Sequence, residues 1–300
     1  MHFNRVMRCC SAMFKKERNL RVMKMKKIMA AVLSGIMCMG LCSCGNAGDS
    51  GDGSSGSPTD WEYIQNKGTL VVGITYYEPM NYLDENGELT GFETEFTKAV
   101  CEKLGVTPEF QVIEWSKKEV ELQSRTIDAI WNGLTVSDER REQMAFSVSY
   151  IVNKQVVIAK TENAGKYTDT ASMAGTSIAF EGGSAGETAA TSDETLSGCN
   201  LINCEAQKDA LMEVKAGTAD LGIIDYVMAL ASVGEGTDYS DITIIDSVEL
   251  TPEEYAIGLR ISDTETVNKI NGAIDELAKD GSLGALAEKY GLADVYALGE

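Results

Sequence analysis

Histidine is almost missing from this chain: the single one, His2, stands at the N-terminal extremity. A folded body without histidine cannot run a Ser-His-Asp or Cys-His mechanism, nor build a His-ligated metal site. No other metal-ligand spacing is present, so neither a metal nor a cofactor is expected. Positive charge is also short, with 26 Lys and Arg against 46 Asp and Glu. Residues 1–44 hold nine of the basic residues and one acid, Glu17, which leaves 17 basic and 45 acidic residues beyond them, about −28 formally. So acidic a body offers no electrostatic footprint to nucleic acid or to an anionic membrane surface. Long apolar runs are missing too. Ile28 to Gly40 is the best candidate, and it falls short of the roughly 20 residues that span a bilayer.

What that run does suit is a signal peptide, because Lys24, Lys26 and Lys27 precede it. It ends in Leu41-Cys42-Ser43-Cys44-Gly45, which resembles a bacterial lipobox with Cys44 as the lipidated residue. Cys42 follows the bulky Leu41 and fits worse; an ordinary secretory signal with incidental cysteines is the alternative. Residues 1–22 read as an over-extended reading frame or a long basic leader. Residues 45–60, "GNAGDSGDGSSGSPTD", have almost nothing to bury and read as a flexible tether. Removal of residues 1–44 as a signal segment would take the only histidine with it. Of the remaining cysteines, Cys101 lies on an apolar helix face as core filler. Cys199 and Cys204 are near enough in sequence to close a small disulfide loop outside the cell, and the sequence leaves that open.

Three hundred residues at 44% hydrophobic composition suit one large domain or two modest ones. From Trp61 onward strand and helix patterns alternate. Strands are expected at 69–75, 110–115, 127–131, 155–160, 176–181 and 220–225. Helices are expected from Phe92 to Leu104, over 117–124, over 207–216, and from Thr264 to Tyr290 with a break at Gly281. This alternation implies α/β architecture with largely parallel sheets. An internal echo divides it: "LQSRTIDAIWNG" (122–133) and "VKAGTADLGIID" (214–225) share one plan of helix end, Thr-x-Asp and apolar strand. Two similar lobes follow, each presenting strand ends at a shared cleft, where open α/β sheets bind ligands. The expected division is 61–150 and 247–300 for the first lobe and 151–246 for the second. The crossovers fall near Ser149 to Asn153 and Asp246 to Glu249.

At the end of the 127–131 strand the chain runs through Asn132-Gly133-Leu134-Thr135 into a charged turn carrying Arg140. A guanidinium holds a carboxylate bidentately and cannot lose its charge. Glycine at 133 lets a ligand approach the backbone, with N–H groups of the turn beside it, and Ser137 or Asp138 can cap the short helix that aims Arg140. Asp225, at the matching point of the second unit, could take an ammonium group. Together they are the minimum kit for a zwitterionic amino acid. On spacing alone, Arg140 reads equally well as a solvated residue among Asp138, Glu139, Arg141 and Glu142. Trp131 reads as core, Glu93 and Glu95 as an exposed helix face, and Asp128 and Asp220 as structural.

From Gly68 to Tyr290 the chain resembles the solute-binding proteins of bacterial amino-acid ABC importers. The stretches that carry the likeness are "YYEPMNY", "GELTGFETEF", "IDAIWNGLTVSDER", "FSVSY", "GGSAGE", "AGTADLGIID", "EEYAIGLR" and "DGSLGALAEKYG", all in order. The resemblance implies a two-lobed periplasmic-binding-protein-like fold (type II), with mixed, mostly parallel sheets joined by two hinge crossovers. It further implies that Arg140 clasps the ligand α-carboxylate with the Thr135 backbone, and that Asp225 takes the ammonium with the carbonyl near Asn132. Tyr77 would stack on the ligand, and Trp115 lies where a second aromatic sits. Two departures stand out. Gly183-Ser184-Ala185 replaces the usual Gly-Ser-Thr or Gly-Thr-Thr, leaving the Ala185 N–H in place of a hydroxyl. Glu181 stands where many relatives are apolar or neutral; it could select a cationic or hydroxylated side chain, or be a solvent-facing strand end. The function implied is capture of a free, polar amino acid, without chemistry, by a monomeric lipid-anchored protein. It would act outside the cytoplasmic membrane and hand its ligand to a permease and ATPase. A prephenate- or arogenate-dehydrating enzyme with Glu78 or Glu181 as acid, and a sensor module, are the alternatives.

Overall fold

The computed structural model describes residues 58–298. The expected signal segment, its candidate lipidation site Cys44 and the expected tether as far as Ser57 lie outside the described residues. The body opens with helix α1 (Asp60–Lys67), whose first turn is closed by a reciprocal capping box between Thr59 and Glu62 and whose end is Gly68 in the left-handed region. Strand β1 (Thr69–Ile74) follows. The short hairpin β2 (Tyr82–Leu83) and β3 (Leu89–Thr90) then leads to α2 (Phe92–Leu104) and β4 (Thr107–Val112). A 3-10 turn at Trp115–Lys117 runs into α3 (Lys118–Gln123), then β5 (Ala129–Ile130), α4 (Asp138–Arg141) and β6 (Met144–Phe146).

Strand β7 (Ile151–Lys160) carries the chain into a second sheet with β8 (Ser177–Glu181), α5 (Ala185–Ser192), β9 (Asn200–Cys204), α6 (Gln207–Ala216), β10 (Leu221–Asp225), α7 (Tyr226–Ser232) and β11 (Ile242–Ile244). The return runs through β12 (Pro252–Tyr255) and β13 (Gly258–Arg260) to α8 (Thr264–Lys279) and α9 (Ser282–Lys289). The first sheet has the order β4-β1-β5-β13-β6 and the second β11-β7-β10-β8-β9. Pairings β1/β4, β1/β5, β8/β9 and β8/β10 are parallel; β13, and β7 against β10 and β11, run antiparallel. This is the two-lobed, mixed α/β fold.

The ten-residue strand β7 belongs to both halves: Ile151 to Lys154 pair with β12, and Gln155 to Ala159 pair with β10. The return lies later than the 246/247 boundary expects. Ile245, Val248 and Leu250 pack into the second lobe's core with Val157, Ile178 and Ile223. Only from Pro252 does the chain cross back beside β7.

The internal echo has a physical counterpart. Asp128 accepts the N–H of Val71 at 2.9 Å, tying the start of β5 to β1, and Asp220 accepts the N–H of Ser177 at 2.8 Å, tying β10 to β8 in the same way. Arg125 and Gly217, matched in the two copies, both adopt positive φ at a helix end (63° and 79°). Trp131 is core, edge-on to Phe96 with ring centroids 4.9 Å apart. Cys199 and Cys204 stand unpaired at opposite ends of β9. Five residues of extended strand separate them by about 16 Å, far beyond the roughly 7 Å between Cα atoms that a disulfide tolerates.

Candidate functional site

Both lobes turn strand ends toward one another, and a small chamber lies between them. Trp115, Asn132, Gly133, Thr135 and Arg140 line it from the first lobe, and Glu181, Ser184, Ala185, Gln207 and Asp225 from the second. Nine of the ten positions read from the sequence therefore share one cavity. Tyr77 is the tenth and lies just behind it. Its ring packs under Gly133, where an added Cβ would come within 2.6 Å of the Tyr77 ring, and its hydroxyl pairs with that of Tyr255 at 2.8 Å. Gly133 has φ of 57°, so a side chain is excluded both by backbone and by space.

Arg140 is aimed as expected, by a helix that Ser137 caps by accepting its N–H at 3.2 Å. Its guanidinium donates to the carbonyl of Thr135 at 2.8 Å in its own lobe and to the carbonyl of Gly183 at 3.1 Å in the other. Burial pulls its pKa below the ordinary value, with the side chain 14% exposed, yet guanidinium remains a cation in proteins. Lys118 is a second cation at the same place: its ammonium, fully buried, donates to the carbonyl of Gly183 at 2.8 Å and lies 4.8 Å from the Trp115 ring centre. Burial, and then Arg140, pull the Lys118 pKa down to about 8.

Gly133 contributes differently from the expectation. Its N–H is not directed into the chamber but to the carboxylate of Glu93, at 2.8 and 3.1 Å. Against the exposed helix face that its sequence position suggests, Glu93 is completely buried, and also accepts from Asn81 at 3.0 Å and from the Tyr150 hydroxyl. Burial raises its pKa to about 7. Asn132 is fixed by donating to Thr75 at 2.7 Å and accepting from Asn81 at 2.9 Å. Asn81, Glu93 and Tyr150 form a buried polar brace beneath the turn that precedes Arg140.

On the second lobe, Ser184 caps α5 by accepting the N–H of Glu187 at 3.2 Å. The start of that helix, at Ser184 and Ala185, lines the chamber, and a helix N-terminus favours negative charge. Glu181, read either as a selector or as a solvent-facing strand end, is buried and turned to the chamber. Burial first, then the neighbouring charge of Asp225, push its pKa up to about 8.

Asp225 ends β10 and is held by three side-chain amides. Asn153 donates to it at 2.8 Å and Gln155 at 2.5 Å, while Gln207 donates to the carboxylate and accepts the Asp225 N–H at 2.9 Å. None of these amides, nor Lys118 or Glu253, was singled out from the sequence. A signal for two existed: in the apolar run "VNKQVVIA" Asn153 and Gln155 sit at period two, which places both on one strand face.

The chamber encloses about 10 Å³, room for one water molecule at most, and a groove of about 860 Å³ lined by both lobes adjoins it at Thr135, Arg140, Ser184 and Ala185. An amino acid can enter only if the lobes part, which breaks the contacts of Arg140 and Lys118 with Gly183. Chemically the chamber offers one cationic wall, where Trp115 packs with Lys118, and one acidic wall. Among the described residues no helix is long and apolar enough to cross a membrane.

Known proteins share this arrangement of lobes. The L-cystine-binding protein TcyJ of Escherichia coli strain K12 is 28% identical over 233 residues, 77% of this chain and 86% of that one. The L-arginine-binding protein of Pseudomonas aeruginosa is 27% identical over 231 residues, 75% of this chain and 88% of that one. A solved ABC uptake transporter substrate-binding protein from Streptococcus pneumoniae, with bound histidine, superposes with a TM-score of 0.70 at 32% identity, over 80% of this chain and 99% of that one. Residues 70–293 match the bacterial extracellular solute-binding proteins, family 3, and the chain belongs to that family.

Proposed function

We propose that this protein captures a free, polar amino acid between its lobes and delivers it to the permease of an ABC importer, while a lipid on Cys44 holds it at the outer face of the cytoplasmic membrane. The observation that carries the reading is the meeting of Arg140 and Asp225, from opposite lobes, in one chamber. In this reading Arg140 takes the α-carboxylate, helped by backbone at Thr135 and by the start of α5 at Ser184 and Ala185. Asp225 takes the α-ammonium with the carbonyl at Asn132. Trp115 supplies aromatic surface, Tyr77 backs the turn at Gly133 from behind, and Glu181 faces the ligand's side chain. The relatives named for cystine and arginine, and the neighbour with bound histidine, support a polar ligand. The crossing strands β7 and β12 serve as the hinge, and the protein acts as a monomer without catalysing a reaction.

Thermal-shift screening of the twenty amino acids and cystine, followed by titration calorimetry, tests capture: at least one should bind in the micromolar range, about −8 kcal/mol. A flat screen sinks the reading. Incubation with prephenate or arogenate should yield no product. Cys44→Ala should move the protein from the membrane fraction to the medium or periplasm. A permease and an ATPase gene beside this one would favour transport over sensing.

A further inference from the structure

Asp225 does not stand alone in the second-lobe wall. Glu253 lies opposite Asn153 in the β7/β12 crossing, and it is 9% exposed. The same two amide groups serve both acids. The Asn153 amide donates to Asp225 Oδ1 at 2.8 Å and to Glu253 Oε1 at 2.5 Å; the Gln155 amide donates to Asp225 Oδ1 at 2.5 Å and to Glu253 Oε1 at 2.9 Å. Two carboxyls held by common donors are forced close together, and both are out of water. Among the described residues no cation is bonded to either carboxyl. The guanidinium of Arg140 feels both charges but spends its bonds on the carbonyls of Thr135 and Gly183. The other titratable groups facing the pair are the hydroxyls of Tyr77 and Tyr255 and the carboxyls of Glu181 and Glu93, none of which brings positive charge. Two like charges in such a place cannot both be ionised cheaply, and one carboxyl keeps a proton.

We propose that Glu253, held against Asp225 by their common amide donors, keeps a proton in the free protein, and that a ligand's ammonium group arriving at Asp225 expels it on binding, so that Glu253 governs how tightly a cation is held there. The inference rests on the amino-acid capture reading and adds to it a residue on the hinge strand. The exchange balances in charge. One carboxyl O–H breaks and its proton goes to water or buffer, while the ammonium brings one positive charge into the same place. No other covalent bond changes. Glu253, raised by burial and then by Asp225 to about 8, is mostly protonated at neutral pH and becomes an anion once the cation sits beside it. Because release of a proton accompanies binding, affinity rises with pH until the free protein has lost that proton by itself.

The test is titration calorimetry of the full chain with L-arginine and L-glutamine, whose side chains do not titrate between pH 5.5 and pH 8. It is run in buffers of differing ionisation enthalpy. The expected result is release of about one proton per ligand near pH 6.5, and an affinity that climbs more than tenfold from pH 6 to pH 8. Glu253→Gln keeps a neutral group of the same shape, and should release no proton, bind at pH 6 within about threefold of the parent, and bind at least tenfold more weakly at pH 8. Infrared difference spectra of the parent should show loss of a protonated-carboxyl band on ligand addition, a readout that does not depend on the variant folding. Binding by the parent with no proton release would overturn the proposal and leave the capture reading standing. An unchanged pH slope in Glu253→Gln would assign the proton elsewhere and overturn it as well. If neither ligand binds, and no amino acid or cystine shifts the melting temperature, the capture reading and this proposal fall together.

Discussion

Arg140 reaches across the cleft to the carbonyl of Gly183, at 3.1 Å, and in the capture reading that bond stands where the ligand carboxylate would go. A carboxylate is the better partner, since a charge-assisted pair is roughly twice as strong as a bond to a neutral carbonyl. Capture would therefore exchange one acceptor for another at the same guanidinium. Arg140→Ala strands the ligand carboxylate at a site without its fork of donors, which should cost roughly 2–5 kcal/mol, or about thirtyfold to several thousandfold in affinity. Arg140→Lys should recover only part of the loss, because an ammonium cannot hold a carboxylate bidentately. Calorimetry on both variants decides it; parental affinity in Arg140→Ala would remove Arg140 from the site.

Lys118 holds the same carbonyl from the other side, at 2.8 Å, with no expected contact to the ligand. It acts as a tie between closed lobes. Lys118→Met keeps the stem over Trp115 but deletes the tie, so the closed form should lose population and apparent affinity should fall about three- to thirtyfold. Small-angle scattering of the ligand-free variant should show a larger radius than the parent. Identical scattering curves would mean that Lys118 does not set the closure.

Glu93 supports the site from beneath. Its carboxylate satisfies the N–H of Gly133, the amide of Asn81 and the hydroxyl of Tyr150, all in a water-free interior. Glu93→Ala leaves two buried donors, the Gly133 N–H and the Tyr150 hydroxyl, without their acceptor, each costing about 1–3 kcal/mol, while the Asn81 amide keeps Asn132 and the Trp131 carbonyl. For a body of this size the melting temperature should fall by roughly 10 °C or more. Glu93→Gln retains one acceptor oxygen and should fall less. Differential scanning calorimetry checks both, and equal melting temperatures for all three proteins would show that the brace carries no stability.

Most of this architecture could be read from residue patterns, and the reasons differ by residue. The period of apolar side chains and the glycines at helix ends place α2 and α6 at their observed bounds. The repeated Thr-x-Asp reports a shared job, because each aspartate ties its strand to a neighbour. Arg140 and Asp225 stand out through the turns that follow the two repeated strands and through the family resemblance, and Glu181 as a departure from that family's pattern. What stayed hidden depends on pairings between distant segments. Glu253 sits in "PEEY", where nothing local distinguishes it from Glu254, and only the antiparallel crossing with β7 brings it to Asn153. Glu93 looked solvent-exposed because its helix was read alone; Asn81, Gly133 and Tyr150 bury it from three other segments. The return boundary slipped for the same reason, since Val248 and Leu250 owe their place to the second lobe's core.

Glu181 gives stability a pH dependence whose sign can be worked out. Its folded pKa, about 8, lies above the ordinary carboxyl value of 4.5, so the folded state binds the proton more tightly than the unfolded chain does. Below the unfolded value both states hold the proton and Glu181 makes no difference. Between the two values the unfolded state ionises while the folded state resists, so stability falls as pH rises, by a total on the order of 5 kcal/mol. Above about 8 the loss is complete. The ligand-free parent should therefore melt lower at pH 8 than at pH 5. Glu181→Gln, which has no proton to lose, should match the parent near pH 5 and melt several degrees above it at pH 8. The general acidity of the chain also favours low pH, but it acts on both proteins alike, so the gap between the two melting curves isolates Glu181. A gap that stays constant from pH 5 to pH 8 would place the Glu181 carboxyl in contact with water rather than in the closed wall of the chamber.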